Sequence, residues 1–237
     1  MNNEKDHASI TVTGGTNIIA LQADAATQNF NSQATPQSAP QEAVLPTSLE
    51  GEYHHFITHD AVGVPQMICQ AHRHIVLHAA YYPKYGVDDQ GMYLVQAMEQ
   101  NTSLRLTAVF TDVTNVVWAD EFARSLRPHF TAQKFARHLE DSKDVFTLCL
   151  EQFGPKRVHI YDTSRLPMFP IIMIDETLII GHYAHSSVIP PHGLWLTIKH
   201  PSIPTMYENL LAGIPTTCKT AEERALLRYV EELIVTP

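Results

Sequence analysis

The sequence has few cysteines and no excess of positive charge. Its three cysteines, Cys69, Cys149 and Cys218, are far apart and form no Cys-x-x-Cys pair. This usage is typical of a reducing compartment and not of a disulfide framework. The formal net charge is -9, with 16 Lys and Arg against 25 Asp and Glu. Because nucleic acids are met by clustered Lys and Arg, we disfavour nucleic acid as a partner.

Long apolar runs and the common catalytic fingerprints are also missing. No 18 apolar residues run together, and the N-terminus has no basic start leading into an apolar core. A membrane span and a signal peptide are therefore not expected, and we predict a soluble, cytoplasmic protein. The sequence has no Gly-rich phosphate loop, Gly-x-Ser-x-Gly elbow or His-Glu-x-x-His motif. These absences weaken nucleotide-hydrolase, esterase and metalloprotease interpretations, and no cofactor is expected.

Composition divides the chain into two parts. Residues 1–48 are rich in Gln, Asn, Ala, Ser and Pro, which predicts a flexible segment that can form a short hairpin around Gly14 and Gly15. The apolar "NIIAL" run suggests a second interpretation, in which the segment pairs with another copy or docks on a partner. Residues 49–237 are long enough for one main domain.

From about residue 50 the pattern alternates between helical and extended segments. The first buried strands are predicted at "HIVLHAAYY" and "SLRLTAVFTD", with helical stretches around them. Four further strands are predicted at "KRVHIYD", "FPIIMID", "TLIIGHY" and "LWLTIKH". Two helices close the chain, and the last opens with Thr220 and Glu223 in a capping-box spacing. This order predicts an α/β fold with a mixed sheet flanked by helices on both faces.

The stretch "RLPMFPIIMIDETLIIGHYAHSS", residues 165–187, carries a family resemblance. Asp175 follows the apolar "IIMI", and Gly181 opens "GHYAHSS" after the next strand. This arrangement resembles a single module of the phospholipase D superfamily, in which a His-x-Lys-x4-Asp motif leads into a strand ending in a Gly-Ser-x-Asn-like turn. Counting back from Asp175 puts Met168 in place of the motif's histidine and Pro170 in place of its lysine.

The two replacements change what the resemblance implies. Phosphoryl transfer of this type needs an imidazole to attack phosphorus and an ammonium to hold the anionic oxygens, and methionine and proline supply neither. The resemblance therefore implies a catalytically degenerate module, a pseudoenzyme. Because the family builds its active site from two modules, it also implies a homodimer with the 165–187 region near the interface. We interpret the chain as a sensor or effector component of a bacterial cell that binds a small anionic ligand or a protein partner.

Candidate site residues follow the predicted strands. His182 and His185 lie just beyond "TLIIG" and are candidates for a replacement general base near neutral pH. They can equally be loop histidines that hydrogen-bond to backbone. If the sheet is mainly parallel, its loops converge at one edge and supply the ligand-binding candidates. These are Tyr82, Lys84, Asp112, Asn115, Arg165, Asp175 and Ser186.

Other functions remain open at this point. An active phosphodiesterase or nuclease would use His182 or His185, with Lys84 or Arg165 on the phosphate. A structural assembly protein would use its N-terminal segment instead. No metal site is predicted, because the alternating His72, His74 and His78 have no Cys or acidic partner close by in the sequence. The histidine-rich "YHHFITHD" near residue 55 is interpreted as a surface turn.

Overall fold

The computed structural model describes residues 50–79, 90–114, 116–183, 189 and 192–235. The chain divides into two units, Met1–Leu45 and Pro46–Pro237, and every described residue belongs to the second. The predicted hairpin around Gly14 and Gly15 lies outside the described residues. Within these ranges, no helix is long and apolar enough to cross a membrane.

The described elements alternate along the chain much as the sequence predicts. The strands are β1 (Glu52–Phe56), β2 (His74–His78), β3 (Arg105–Thr111), β4 (Val158–Thr163), β5 (Ile171–Ile174), β6 (Thr177–Ile180) and β7 (Trp195–Lys199). The helices are α1 (His59–Val62), α2 (Val64–Cys69), α3 (Gln90–Gln100), α4 (Ala119–Leu126), α5 (Ala132–Phe153), α6 (Ile203–Leu211) and α7 (Ala221–Glu232). The predicted capping box of Thr220 and Glu223 is confirmed at the start of α7.

All seven strands join one mixed sheet in the order β1-β7-β6-β5-β2-β3-β4. Strands β2, β3 and β4 are parallel, whereas β5, β6, β7 and β1 pair antiparallel along the other half. Side chains alternate across this sheet because successive residues of a strand point to opposite faces. The mixed sheet is as predicted.

Helices cover both faces of the sheet, which confirms the predicted fold class. On β5, Ile172 and Ile174 pack into a core shared with residues of α2 to α5. Their neighbours Ile171 and Met173 pack into a second core shared with α6 and α7. Since β5 is apolar on both sides, it is buried by helices on both sides.

The interpretation of "YHHFITHD" as a surface turn is wrong. Its first residues belong to β1, an edge strand that pairs antiparallel with β7, and its last begin α1. Most side chains of β1 are exposed, so the strand gives no apolar alternation in the sequence. It is held instead by Glu222 of α7, whose carboxylate accepts hydrogen bonds from the backbone N–H of Glu50 and Gly51, both at 3.0 Å, and from the Tyr53 hydroxyl at 2.6 Å.

The directions of the strands distinguish two ends of the sheet, which we call the carboxyl edge and the amino edge. At the carboxyl edge, β2, β3, β4 and β6 end and β5 and β7 begin. The amino edge is the opposite one, where β2, β3 and β4 begin and the β5–β6 turn lies. Ligands of open α/β sheets bind beyond the carboxyl ends of parallel strands, so the first of these edges is the place to search for a site.

Candidate functional site

The carboxyl edge brings together part of the predicted set. Asp112 follows β3, His182 follows β6, and Arg165 precedes β5, so all three lie at this edge, although Asp112 lines a cleft of its own. Five other predicted residues lie outside the described residues: Tyr82, Lys84, Asn115, His185 and Ser186.

His78, the last residue of β2, is the most distinctive polar group at this edge. The residue is only 5% exposed, and its Nδ1 donates a 2.6 Å hydrogen bond to the backbone carbonyl of Glu232. A carbonyl can only accept, so Nδ1 carries the proton and Nε2 of the neutral ring presents a lone pair. Among the described residues, Nε2 has no hydrogen-bond partner. Burying such a nitrogen without a hydrogen-bond partner is costly, so Nε2 is a candidate to accept a hydrogen bond from a ligand.

The charge state of His78 follows from its surroundings. Burial is the main cause that lowers its pKa, and the nearby positive charge of Arg165 also lowers it. The hydrogen bond to the Glu232 carbonyl acts in the opposite direction without reversing the shift. His78 is therefore neutral at pH 7, and Nε2 acts as an acceptor or a base.

Arg165 supplies a positive charge next to this imidazole. Its Nη2 lies 3.7 Å from a carboxylate oxygen of Glu232, the last residue of α7. The Arg165 side chain is 59% exposed, so this ion pair is weak and leaves the guanidinium available to a ligand. Glu232 thus contacts His78 through its carbonyl and Arg165 through its side chain.

His182 joins the same group through an aromatic contact. Its ring lies edge-on to Phe169, with 5.7 Å between ring centroids, and Phe169 contacts Tyr229 of α7 at 6.1 Å. Tyr229 and Glu232 are three residues apart and share one face of the helix. The carboxyl-edge cluster is accordingly defined by His78, Arg165, Phe169, His182, Tyr229 and Glu232.

Met168 and Pro170, which the resemblance placed at the histidine and lysine of the motif, lie beside this cluster without contributing polar groups. Met168 is 57% exposed at the carboxyl edge. Pro170 is buried, and its carbonyl accepts a 2.9 Å hydrogen bond from the backbone N–H of Gly181. Neither side chain carries a nucleophile or a positive charge. The cluster can therefore offer an acceptor, a guanidinium and an imidazole to a ligand, and these two positions add neither a nucleophile nor an ammonium.

Asp175 lies at the amino edge, away from the other candidates. It sits in the β5–β6 turn, one four-residue strand, roughly 13 Å, from the carboxyl edge. Its carboxylate accepts hydrogen bonds from the backbone N–H groups of His72, Arg73 and His74 at 2.7, 2.8 and 2.9 Å. Those bonds occupy the carboxylate with the entry to β2, so Asp175 does not join the carboxyl-edge cluster.

Asp112 lies in a separate cleft of about 240 Å³ between the ends of β3 and β4 and helix α5. Hydrogen bonds from the side chain and backbone of Thr114 lower the pKa of Asp112. The same cleft holds Glu140 and Asp162 against the single ammonium of Lys143. This negative balance suits a cation better than an anion.

The alternating histidines His72, His74 and His78 do not share a common partner. His74 and His78 are buried, and His74 contacts Glu208 through Nε2 at 2.9 Å. His72 precedes the strand and is exposed. Within the part of the chain that the structure describes, no three His, Cys, Asp or Glu side chains are grouped so as to hold a metal ion.

Sequence reasoning missed His78 as a site residue and placed it only in this line of histidines. Its distinctive state depends on the carbonyl of Glu232, which lies 154 residues later in the chain. The only local signal is its position as the last polar residue of a buried strand, just before a loop.

Comparison with known proteins gives structural matches only. No family model matches the chain, and no curated protein matches it. Among solved structures, NucT from Helicobacter pylori is 9% identical with a TM-score of 0.42, covering 70% of this chain and 96% of that one. Phosphatidylserine synthase from Haemophilus influenzae Rd KW20 is 9% identical with a TM-score of 0.41, covering 76% of this chain but only 43% of that one.

A third structure, Nuc from Salmonella typhimurium, is described as a phospholipase D family member. It is 11% identical with a TM-score of 0.40, covering 69% of this chain and 93% of that one. A member of the superfamily is therefore among the solved structures that this chain resembles. With TM-scores below 0.5, these matches carry no argument about individual residues or activity.

Proposed function

We propose that the chain is a catalytically degenerate phospholipase D-like module that binds a small anion at its carboxyl edge as a homodimeric sensor. The observation that carries this proposal is the buried Nε2 of His78, which has no hydrogen-bond partner among the described residues and feels the positive charge of Arg165. The guanidinium of Arg165 can donate to anionic oxygens, and Nε2 of His78 can accept a hydrogen bond from a water molecule bound together with the anion. His182 adds a third polar group at the same edge.

The proposal of binding without cleavage rests on the side chains at the two motif positions, 168 and 170. The exposed thioether of Met168 and the buried ring of Pro170 supply no attacking group and no ammonium. The phosphodiester monoanion is the ligand class that the resemblance suggests, and a single guanidinium is suited to its one negative charge.

The first test uses bis(4-nitrophenyl) phosphate as both ligand and reporter. The full chain is expected to unfold at a higher temperature in its presence, because a ligand bound only by the folded state raises stability. Arg165→Gln is expected to bind about tenfold more weakly, the equivalent of one charge-assisted hydrogen bond. Arg137→Gln removes an exposed arginine of α5 and serves as the matched control.

The same experiment separates the sensor from an enzyme. A degenerate module releases no nitrophenolate above the rate without protein. Release that disappears in His78→Gln but survives in Arg137→Gln would instead support the alternative, a phosphodiesterase whose base or nucleophile is a replacement histidine. The unpaired Nε2 of His78 is the observation that favours that alternative. Stabilisation that is equal in Arg165→Gln and in the control contradicts the proposed site.

Exposed apolar side chains at the carboxyl edge support the homodimer. Large apolar residues that stay exposed in contiguous regions often mark an interaction surface. Five such residues lie in the turns of this edge or next to them: Ile57, Val117, Leu166, Met168 and Leu194. A second copy of the same surface is the partner that the superfamily resemblance implies.

The full chain is accordingly expected to have a solution mass of twice 26.6 kDa. The double variant Met168→Asp with Leu194→Asp is expected to shift the population to monomer, since each charge would be buried unpaired in the interface. Leu148→Asp, at an exposed leucine of α5, should leave the dimer intact. Light scattering over a concentration series measures all three, and a wild-type chain that is monomeric throughout contradicts the dimer.

A further inference from the structure

A second polar pocket lies at the amino edge, at the opposite end of β2 from the carboxyl-edge cluster. It has a volume of about 230 Å³ and is lined by His72, Arg73, His74, Ser103, Arg105 and Glu208. Strands β2 and β3 begin at this pocket, and α6 contributes Glu208. Neither the family resemblance nor the proposed function uses these residues.

Both the backbone and the side chain of Arg73 are held by hydrogen bonds in this pocket. Its backbone N–H donates to Asp175 at 2.8 Å, and its Nη2 donates to Glu208 at 2.8 Å. The same Glu208 oxygen accepts a 2.9 Å hydrogen bond from Nε2 of His74. Since His74 is buried and lies edge-on to Tyr207 at 5.4 Å, the chain from His74 through Glu208 holds the guanidinium of Arg73 in one orientation.

Arg105 is the arginine of the pocket whose guanidinium contacts no other described polar group. It is the first residue of β3 and pairs with His74 in the parallel register. Its side chain is exposed, and its guanidinium has no ion pair or hydrogen bond to another described residue. The lining therefore holds two guanidinium groups and one carboxylate, and one oxygen of that carboxylate already accepts hydrogen bonds from Arg73 and His74. The pocket is locally positive on a chain whose net charge is -9.

The dimensions of the pocket restrict its occupant. A volume of 230 Å³ is below the roughly 300 Å³ at which pockets for drug-sized ligands begin. It is still several times the roughly 30 Å³ that one water molecule occupies. The pocket therefore has room for a hydrated small ion.

We propose that the amino-edge pocket binds a tetrahedral oxyanion of the phosphate class between Arg105 and Arg73. Guanidinium groups recognise such anions because their planar donors match pairs of oxygens on one phosphorus. The exposed ring of His72 lies in the same pocket and can offer a further donor, whereas the Ser103 hydroxyl already donates to Oδ1 of Asn101 at 2.7 Å. Asp175, the retained residue of the degenerate motif, supports this second site by fixing the backbone of residues 72 to 74.

The test titrates inorganic phosphate into the full chain by calorimetry at constant ionic strength. It is carried out in the Arg165→Gln background, so that the contribution of the carboxyl-edge cluster is reduced and is the same in all the variants compared. Adding Arg105→Gln is expected to weaken phosphate binding at least about tenfold, since one charged contact is lost. Adding Arg73→Gln should have a similar effect, whereas adding Arg137→Gln should have none.

Two results would overturn the proposal. One is the absence of any binding heat with phosphate up to about 10 mM, the concentration at which a weak site with a Kd of about 10 mM would be half filled. The other is phosphate affinity that is the same with Arg105→Gln as with Arg137→Gln. Because the background already lacks Arg165, neither result bears on the proposed function of the carboxyl edge.

Discussion

Replacing Asp175 with alanine is expected to lower the free energy of unfolding by about 3 kcal/mol. The carboxylate accepts three backbone hydrogen bonds from residues 72 to 74, and bonds to a charged acceptor contribute about 1.5 to 3 kcal/mol each. Two of the three donors are exposed, so water recovers part of the loss. The backbone of Asp175 also has φ of 49°, a conformation that aspartate tolerates better than alanine.

Urea unfolding measures this effect against two controls. Asp175→Asn keeps one acceptor oxygen and the tolerated backbone conformation, so about half of the loss is expected. Glu176→Ala removes the neighbouring, exposed carboxylate and should stay within about 0.5 kcal/mol of wild type. If Asp175→Ala is no less stable than Glu176→Ala, the carboxylate does not hold the entry to β2.

The strands that could be predicted from sequence are those that the sheet buries. Strands β2, β5 and β6 are buried at every residue, and such apolar runs are visible without any knowledge of their neighbours. Helix ends with local chemistry, such as Thr220 and Glu223, were predictable for the same reason. Strand β1 was missed because it is an edge strand whose stabilising contacts come from α7, 169 to 172 residues later.

The site was predictable only where the chain order already brings residues together. Arg165 and His182 lie on either side of the β5–β6 hairpin, so their proximity at one edge follows from the turn between the strands. The importance of His78 depends on β2 lying next to β5 and on α7 ending above it. Asp175 was assigned to the motif by spacing alone, and its contacts with residues 72 to 74 required the same strand adjacency, which no local pattern encodes.

Replacing Gly181 with alanine is expected to destabilise the fold by about 3 kcal/mol. A Cβ at this position would lie 2.8 Å from Cγ of Pro170 and 2.8 Å from Cη2 of Trp195. Carbon atoms prefer separations of about 3.5 to 4.0 Å, so either a neighbour or the backbone must move. Both neighbours are rigid rings that are themselves buried. Overpacking a site of this kind typically costs about 1 to 3 kcal/mol, and the upper end applies here.

The cause of that loss can be isolated with a second substitution. Pro170→Ala removes Cγ and with it one of the two contacts, while Trp195 still opposes the new methyl group. The cost of Gly181→Ala should therefore be smaller by about 1 kcal/mol in the Pro170→Ala background than in wild type, a coupling that a double-mutant cycle in urea detects. Equal costs in the two backgrounds would mean that the proline ring does not limit this position. A Gly181→Ala variant as stable as wild type would mean that the end of β6 can move away from Pro170 and Trp195, contrary to the short distances to both rings.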